Sequence, residues 1–201
     1  MNIFTGRRRT AVLAAVGLVA LAGILTSRFF GQDSTGSAGG GSHSPYVLLD
    51  RGTYGASPWY LFAQTQTTGG QRQLCMYISG TPDSAALDTP DGQGKYLLGG
   101  TCGFNREYPD SSYFDQAEIL SGPQAGTAIV FGPLPDDAAQ IKVADREVLP
   151  THALPTERGL PAGRYWVSVE GSSWPSATDG AALGTPQPLN PGGLPVPFRS
   201  F

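Results

Sequence analysis

Two cysteines, Cys75 and Cys102, are the only ones in the chain, one within its most strand-like stretch and one just after it. The run Trp59-Tyr60-Leu61-Phe62-Ala63-Gln64-Thr65-Gln66-Thr67 is rich in aromatic and β-branched residues and is interrupted at Thr68-Gly69-Gly70. A second run follows, Gln73-Leu74-Cys75-Met76-Tyr77-Ile78-Ser79. Two such runs joined by a glycine turn predict a β-hairpin. A polar loop then leads to Leu97-Leu98-Gly99-Gly100-Thr101-Cys102-Gly103-Phe104, so a disulfide between the cysteines would tie that segment back onto the hairpin. Closing a loop of this length restricts the unfolded chain by roughly 3.5 kcal/mol on chain-entropy grounds.

Whether the cysteines pair depends on the compartment, and the N-terminus speaks to that. Thr10 to Thr26 carries no charge; Arg7-Arg8-Arg9 precede it and Arg28 follows. The stretch is at the lower limit for a helix crossing a hydrocarbon core about 30 Å thick. The arginine bias places the N-terminus in the cytoplasm. The segment therefore reads as a signal-anchor, with residues 1–9 a cytoplasmic stub and 10–30 the transmembrane helix. Ala20-Leu21-Ala22 before Gly23 also fits a cleavage site, in which case the remainder is secreted. Both readings export the rest of the chain, where two cysteines most often pair.

Residues 31–45 form a Gly/Ser-rich linker containing His43, and 46–183 are expected to form the extracytoplasmic domain. Gly 28 and Pro 17 among 201 residues, with only 14 % charged residues, favour turns over long helices. Tyr46-Val47-Leu48-Leu49, Thr127 to Gly132, Gln140 to Ala144 and Arg164 to Glu170 read as further strands, the last two by alternation. Leu149 to Gly163 carries three Leu-Pro pairs, which forbid a continuing helix or a central strand. Residues 184–201, with five prolines, read as an extended tail. The expected fold is all-β: a single β-sandwich, Ig-like in a broad sense, with long Pro/Gly-rich loops after one N-terminal transmembrane helix.

From Gly31 onward the chain has nine basic and sixteen acidic residues, a net charge of −7, which disfavours nucleic acid as a partner. Serine hydrolysis needs a nucleophile on a tight elbow with a histidine base. No G-x-S-x-G occurs; Gly171-Ser172-Ser173 lacks the second glycine, and His152 is the one histidine within the predicted domain. Asp83, Asp88 and Asp91 place three carboxylates in the loop Gly80 to Gly94, a calcium candidate without EF-hand spacing. No cofactor-binding or catalytic residues are expected. Trp59, Trp166 and Trp174, with Tyr60, Tyr96, Tyr108 and Tyr113, divide between core packing and a glycan- or peptide-binding face.

The order of signal-anchor, Gly/Ser linker, tryptophan strand, Leu-Cys-Met, Cys-Gly-Phe, Ile-Val-Phe-Gly-Pro-Leu-Pro and Leu-Pro-Ala-Gly-Arg-Tyr-Trp-Val resembles small membrane-anchored extracytoplasmic proteins of high-GC Gram-positive bacteria. The resemblance brings no assigned site residues with it. The expectation is a non-catalytic module at the cell membrane, engaged in envelope interaction or sensing with a protein or glycan partner. The alternative is an exported hydrolase acting on cell-wall material.

Overall fold

The computed structural model describes residues 42–104, 114–118, 127–143, 148–170, 186–197, 199 and 201. The apolar run 10–30 lies outside them; among the described residues no helix is long and apolar enough to cross a membrane.

The hairpin read from the sequence is the centre of the first sheet. Strands β2 (Ser57–Thr68) and β3 (Gln71–Ser79) pair from Tyr60↔Ser79 to Thr68↔Gln71. Gly69 and Gly70 turn the chain at φ 60° and 81°, the left-handed pair that a two-residue hairpin loop requires. Strand β1 (Val47–Tyr54) pairs with β2, and β4 (Leu97–Cys102) with β3, giving a plain antiparallel meander β1-β2-β3-β4. Asp50-Arg51-Gly52 does not end β1, which bulges between Leu48 and Asp50 and continues to Tyr54.

The second sheet has the order β5-β6-β10-β9, from β5 (Asp115–Glu118), β6 (Ala128–Leu134), β9 (His152–Ala153) and β10 (Arg164–Glu170). A third sheet, β11-β7-β8, joins β7 (Gln140–Lys142), β8 (Val148–Pro150) and β11 (Gln187–Leu189). The prolines of 149–163 are accommodated by short strands and one 3-10 turn, Thr156–Arg158.

Strand β6 explains why a single two-sheet sandwich is not what forms. Every residue of β6 is buried, so both of its faces need cover. Ile129 and Phe131 enter a first cluster with Trp59, Leu61, Leu74, Met76, Ile78 and Tyr165, between the first and second sheets. Ala128, Val130 and Leu134 enter a second cluster with Ile141, Val143, Trp166 and Val196, which the third sheet closes. The expected single sandwich is thus corrected to three antiparallel sheets around two apolar clusters.

The first two sheets meet closely at β4 and β5, where a Cβ on Gly99 would fall 2.8 Å from the Ala117 Cβ. Across the cluster, Tyr165 donates its hydroxyl to the Leu49 carbonyl at 2.7 Å.

Of the two places open to the extended tail, the domain surface or solvent, its described residues take the first. Gln187–Leu189 pairs with β7, Val196 is buried in the second cluster, and Phe201 packs against both clusters. Pro188 is tolerated because β11 is an edge strand.

Candidate functional site

Alternation along β2 sends Trp59, Leu61 and Ala63 into the first cluster, so the intervening residues point to the opposite face of the sheet. That face carries Phe62, Gln64 and Gln66 from β2, and Cys75 and Tyr77 from β3. Tyr46, just before β1, stacks edge-on against Phe62 and Tyr77, with ring centroids 6.1 and 5.9 Å apart.

A short insertion between β3 and β4 covers part of this face. Asp83 accepts from the Ala85 amide and caps a 3-10 turn, Ser84–Asp88, which buries Leu87. Thr89 then caps α1 (Pro90–Tyr96), accepting from the Gly92 amide at 3.0 Å. Gln93 reaches back with Nε2 to the Leu87 carbonyl at 2.7 Å, fastening the two turns together.

Between this insertion and the sheet lies a cleft of about 260 Å³ lined by His43, Tyr46, Gln64, Gln66, Tyr77, Leu87, Asp88, Gln93 and Leu97. His43, read as a linker residue, is exposed, bridges to Gln66 of β2 and lines the cleft.

The disulfide lies against two residues of the cleft lining, Gln66 and Tyr77. Cys75 and Cys102 are bonded and directly opposite each other in the β3–β4 ladder, with Cα atoms 4.0 Å apart. The Gly103 amide donates to the Leu74 carbonyl at 3.0 Å, so the cysteines occupy the adjoining non-hydrogen-bonded site, where strands approach most closely. The Tyr77 hydroxyl lies 3.3 Å from Cys102 Sγ, the only donor between the two since a bonded sulfur has no hydrogen.

Both cleft tyrosines are held as neutral phenols. Burial, followed by the neighbouring Tyr77 and the Asp88 carboxylate, pushes the Tyr46 hydroxyl up to about 12. Burial likewise raises Tyr77, against an opposing hydrogen bond from Gln64. The amide of Gln64 is almost wholly enclosed; Nε2 approaches the Tyr77 hydroxyl at 3.4 Å and Oε1 has no partner. The arrangement suits recognition through hydrogen bonds and aromatic faces. It contains no free thiol, serine or threonine among its lining residues.

The other candidate residues are dispersed. Asp83 is a cap, Asp91 sits in the first turn of α1, and Asp88 faces Tyr46. The three carboxylates therefore serve separate local tasks, and no group of three or more His, Cys, Asp or Glu that could hold a metal ion occurs among the described residues. His152 is exposed on β9 and lies against the Tyr165 ring at 5.3 Å. Gly171-Ser172-Ser173, Trp174, Tyr108 and Tyr113 lie outside the described residues. Trp59 and Trp166 are core residues, 5 % and 0 % exposed. Tyr60 is half-buried, as is Tyr96, whose ring has Lys95 Nζ 4.9 Å from its centroid.

Tyr46, Gln64, Gln66 and Tyr77 carry no sequence motif. Their one signal is that Gln64 and Gln66 alternate with threonines in the polar second half of β2. Compared with family models, curated proteins and solved structures, the chain matches none.

Proposed function

We propose that this chain is a membrane-anchored, extracytoplasmic β module that binds a ligand without transforming it, in envelope interaction or sensing. The observation that carries the binding half of this reading is the enclosed Gln64 amide, whose Oε1 is unpaired beside two neutral tyrosines in the cleft. Burying an unsatisfied polar atom costs about 1–3 kcal/mol, a cost that a bound partner offsets. The anchoring half rests on the charge-free run from Thr10 to Thr26, its flanking arginines and the Gly/Ser linker. The same features underlie the resemblance to small anchored proteins of high-GC Gram-positive bacteria. The first two sheets, packed face to face through the first cluster, supply the sandwich-like body that a surface module of this kind presents.

The test is calorimetric titration of the full chain, in non-ionic detergent, with envelope-derived peptides and wall glycan fragments. Saturable binding that Gln64→Ala abolishes, with the ligand recovered intact, is the expected result. Recovery of cleaved ligand would instead support an exported hydrolase. The orientation is tested separately by adding protease to intact cells: digestion of the domain is expected, and complete protection would overturn the extracytoplasmic placement.

A further inference from the structure

The hydrogen-bonding groups of the cleft are out of balance, and the excess is on the acceptor side. Gln64 is 5 % exposed, and its Oε1 has no partner. Gln66, two residues along the same face of β2, directs its Oε1 at the disulfide, 3.6 Å from Cys75 Sγ and 3.5 Å from Cys102 Sγ. Bonded sulfurs carry no hydrogen, so this oxygen receives none from them. Gln93 commits its Nε2 to the Leu87 carbonyl, which leaves Oε1 as the outer end of its amide. Asp88 contributes a carboxylate to the same cleft.

Fewer donors stand free: among the described residues the Gln66 amide nitrogen has no partner, whereas the two tyrosine hydroxyls do. Tyr46 is hydrogen-bonded to Asp88, and the Tyr77 hydroxyl has Cys102 Sγ at 3.3 Å. His43 Nδ1 lies 3.3 Å from the Ser44 carbonyl. Among the described residues neither lysine nor arginine lines the cleft. A carboxylate or phosphate brought here would meet oxygen on several sides with no cation to receive it. Asp88 is exposed, so its carboxylate stays hydrated at the edge of the cleft and offers a cation there an opposite charge.

We propose that the cleft takes an organic cation bearing N–H groups, an ammonium or a guanidinium, seated against the Tyr46 and Tyr77 rings with its hydrogens on Gln64 Oε1, Gln66 Oε1 and Asp88. This rests on the binding-module reading above and narrows its ligand. Aromatic faces attract a cation through the ring quadrupole, and the attraction grows as water is excluded. Charge-assisted hydrogen bonds to the buried acceptor add direction. The cleft, at about 260 Å³, falls just below the 300–1,000 Å³ or so of drug-sized pockets, a space suited to one side-chain-sized cation. The net charge of −7 from Gly31 onward favours the approach of a cation over long range.

The test titrates the full chain, in non-ionic detergent, with acetyl-arginine amide, acetyl-lysine amide and agmatine, and with acetyl-citrulline amide as the uncharged isostere. Acetyl-glucosamine oligosaccharide serves as a neutral glycan. At least one cation is expected to bind roughly tenfold more tightly than the citrulline compound, and Asp88→Asn to weaken it by a similar factor. Gln64→Leu should also weaken it while the melting temperature is kept. Stronger binding of agmatine than of the amides points to a free amine, and the reverse to a peptide side chain. Equal binding of the arginine and citrulline compounds, or an Asp88→Asn variant that binds cations as well as the parent, overturns the proposal. Binding of the oligosaccharide alone overturns it too, but leaves the binding-module reading standing. Failure of every probe removes the cation, and turnover of a bound probe removes the binding-only reading.

Discussion

The indole of Trp59 lies over Gly52, its direct partner across β1 and β2, so closely that a Cβ at position 52 would fall 2.6 Å from the ring atom Cζ2. The glycine exposes a patch of backbone that the ring covers, and the ring keeps its place in the first cluster because the patch is flat. Trp59 is 5 % exposed and its Nε1 has no hydrogen-bond partner, so packing alone positions it. Gly52→Ala should therefore destabilise the domain by about 1–3 kcal/mol through overpacking. Urea denaturation followed by tryptophan fluorescence measures this, and an unchanged midpoint would show that the ring can shift freely.

Asp115 begins β5 half-buried, with its Oδ1 accepting from the Gln116 amide at 2.8 Å. Desolvation raises its carboxyl from 3.8 to about 6, and the amide hydrogen bond only partly opposes this. Because folding favours the protonated form, the contribution of Asp115 is fully stabilising below its ordinary value and is lost as pH rises through about 6. Asp115→Asn should be more stable than the parent above that pH, by roughly 1–2 kcal/mol, with the difference shrinking towards pH 4. Thermal melts across that range compare the two; parallel pH profiles would remove Asp115 as the cause.

Cys75 and Cys102 hold β4 onto β3 and close the loop that contains both turns of the cleft's cover. The paired variant Cys75→Ala, Cys102→Ala should lose about 2–4 kcal/mol of stability. It should also lose protection of residues 84–96 against proteolysis before the rest of the domain opens. Limited proteolysis with mass spectrometry reads the order of cutting, and an unaltered pattern would mean that α1 is held without the disulfide.

The C-terminal segment contributes Val196 to the second cluster and buries Leu189 on β11, which pairs with β7. Val196→Ala should cost about 1–2 kcal/mol, and ending the chain after Gly184 should cost more than the two buried side chains together, each worth about 1.5–3 kcal/mol. Chemical denaturation distinguishes these: a truncated chain as stable as the parent would show that β11 is dispensable.

The parts of this fold legible in the sequence are those in which pattern and structure share a period. The β2–β3 hairpin coincides with two aromatic and β-branched runs about a glycine turn, β10 with an alternating run, and the disulfide follows from two cysteines in a segment expected to be exported. The third layer is harder to read. Its signal, the unbroken apolar run of β6, shows only that both faces are covered and not what covers them. Helix α1, Pro-Asp-Gly-Gln-Gly-Lys-Tyr, has two glycines and no apolar stripe; the Thr89 cap and the Gln93 to Leu87 bond hold it. The cleft was invisible for a related reason. Gln64 and Gln66 look like a solvated strand face until residues far along the chain fold over them.

The double-sided burial of β6 also orders events in time. The first sheet is built from neighbours in sequence, β1 to β4, so its strands can meet early at small entropic cost. Strand β6 instead waits for β10, pairing Leu134 with Arg164 across the excursion through β7, β8 and β9. Neither apolar cluster is complete before that pairing, since β6 and β10 contribute to both. The joining of β6 to β10 is thus the step expected to join both clusters at once and, as a pairing of long range, to slow folding.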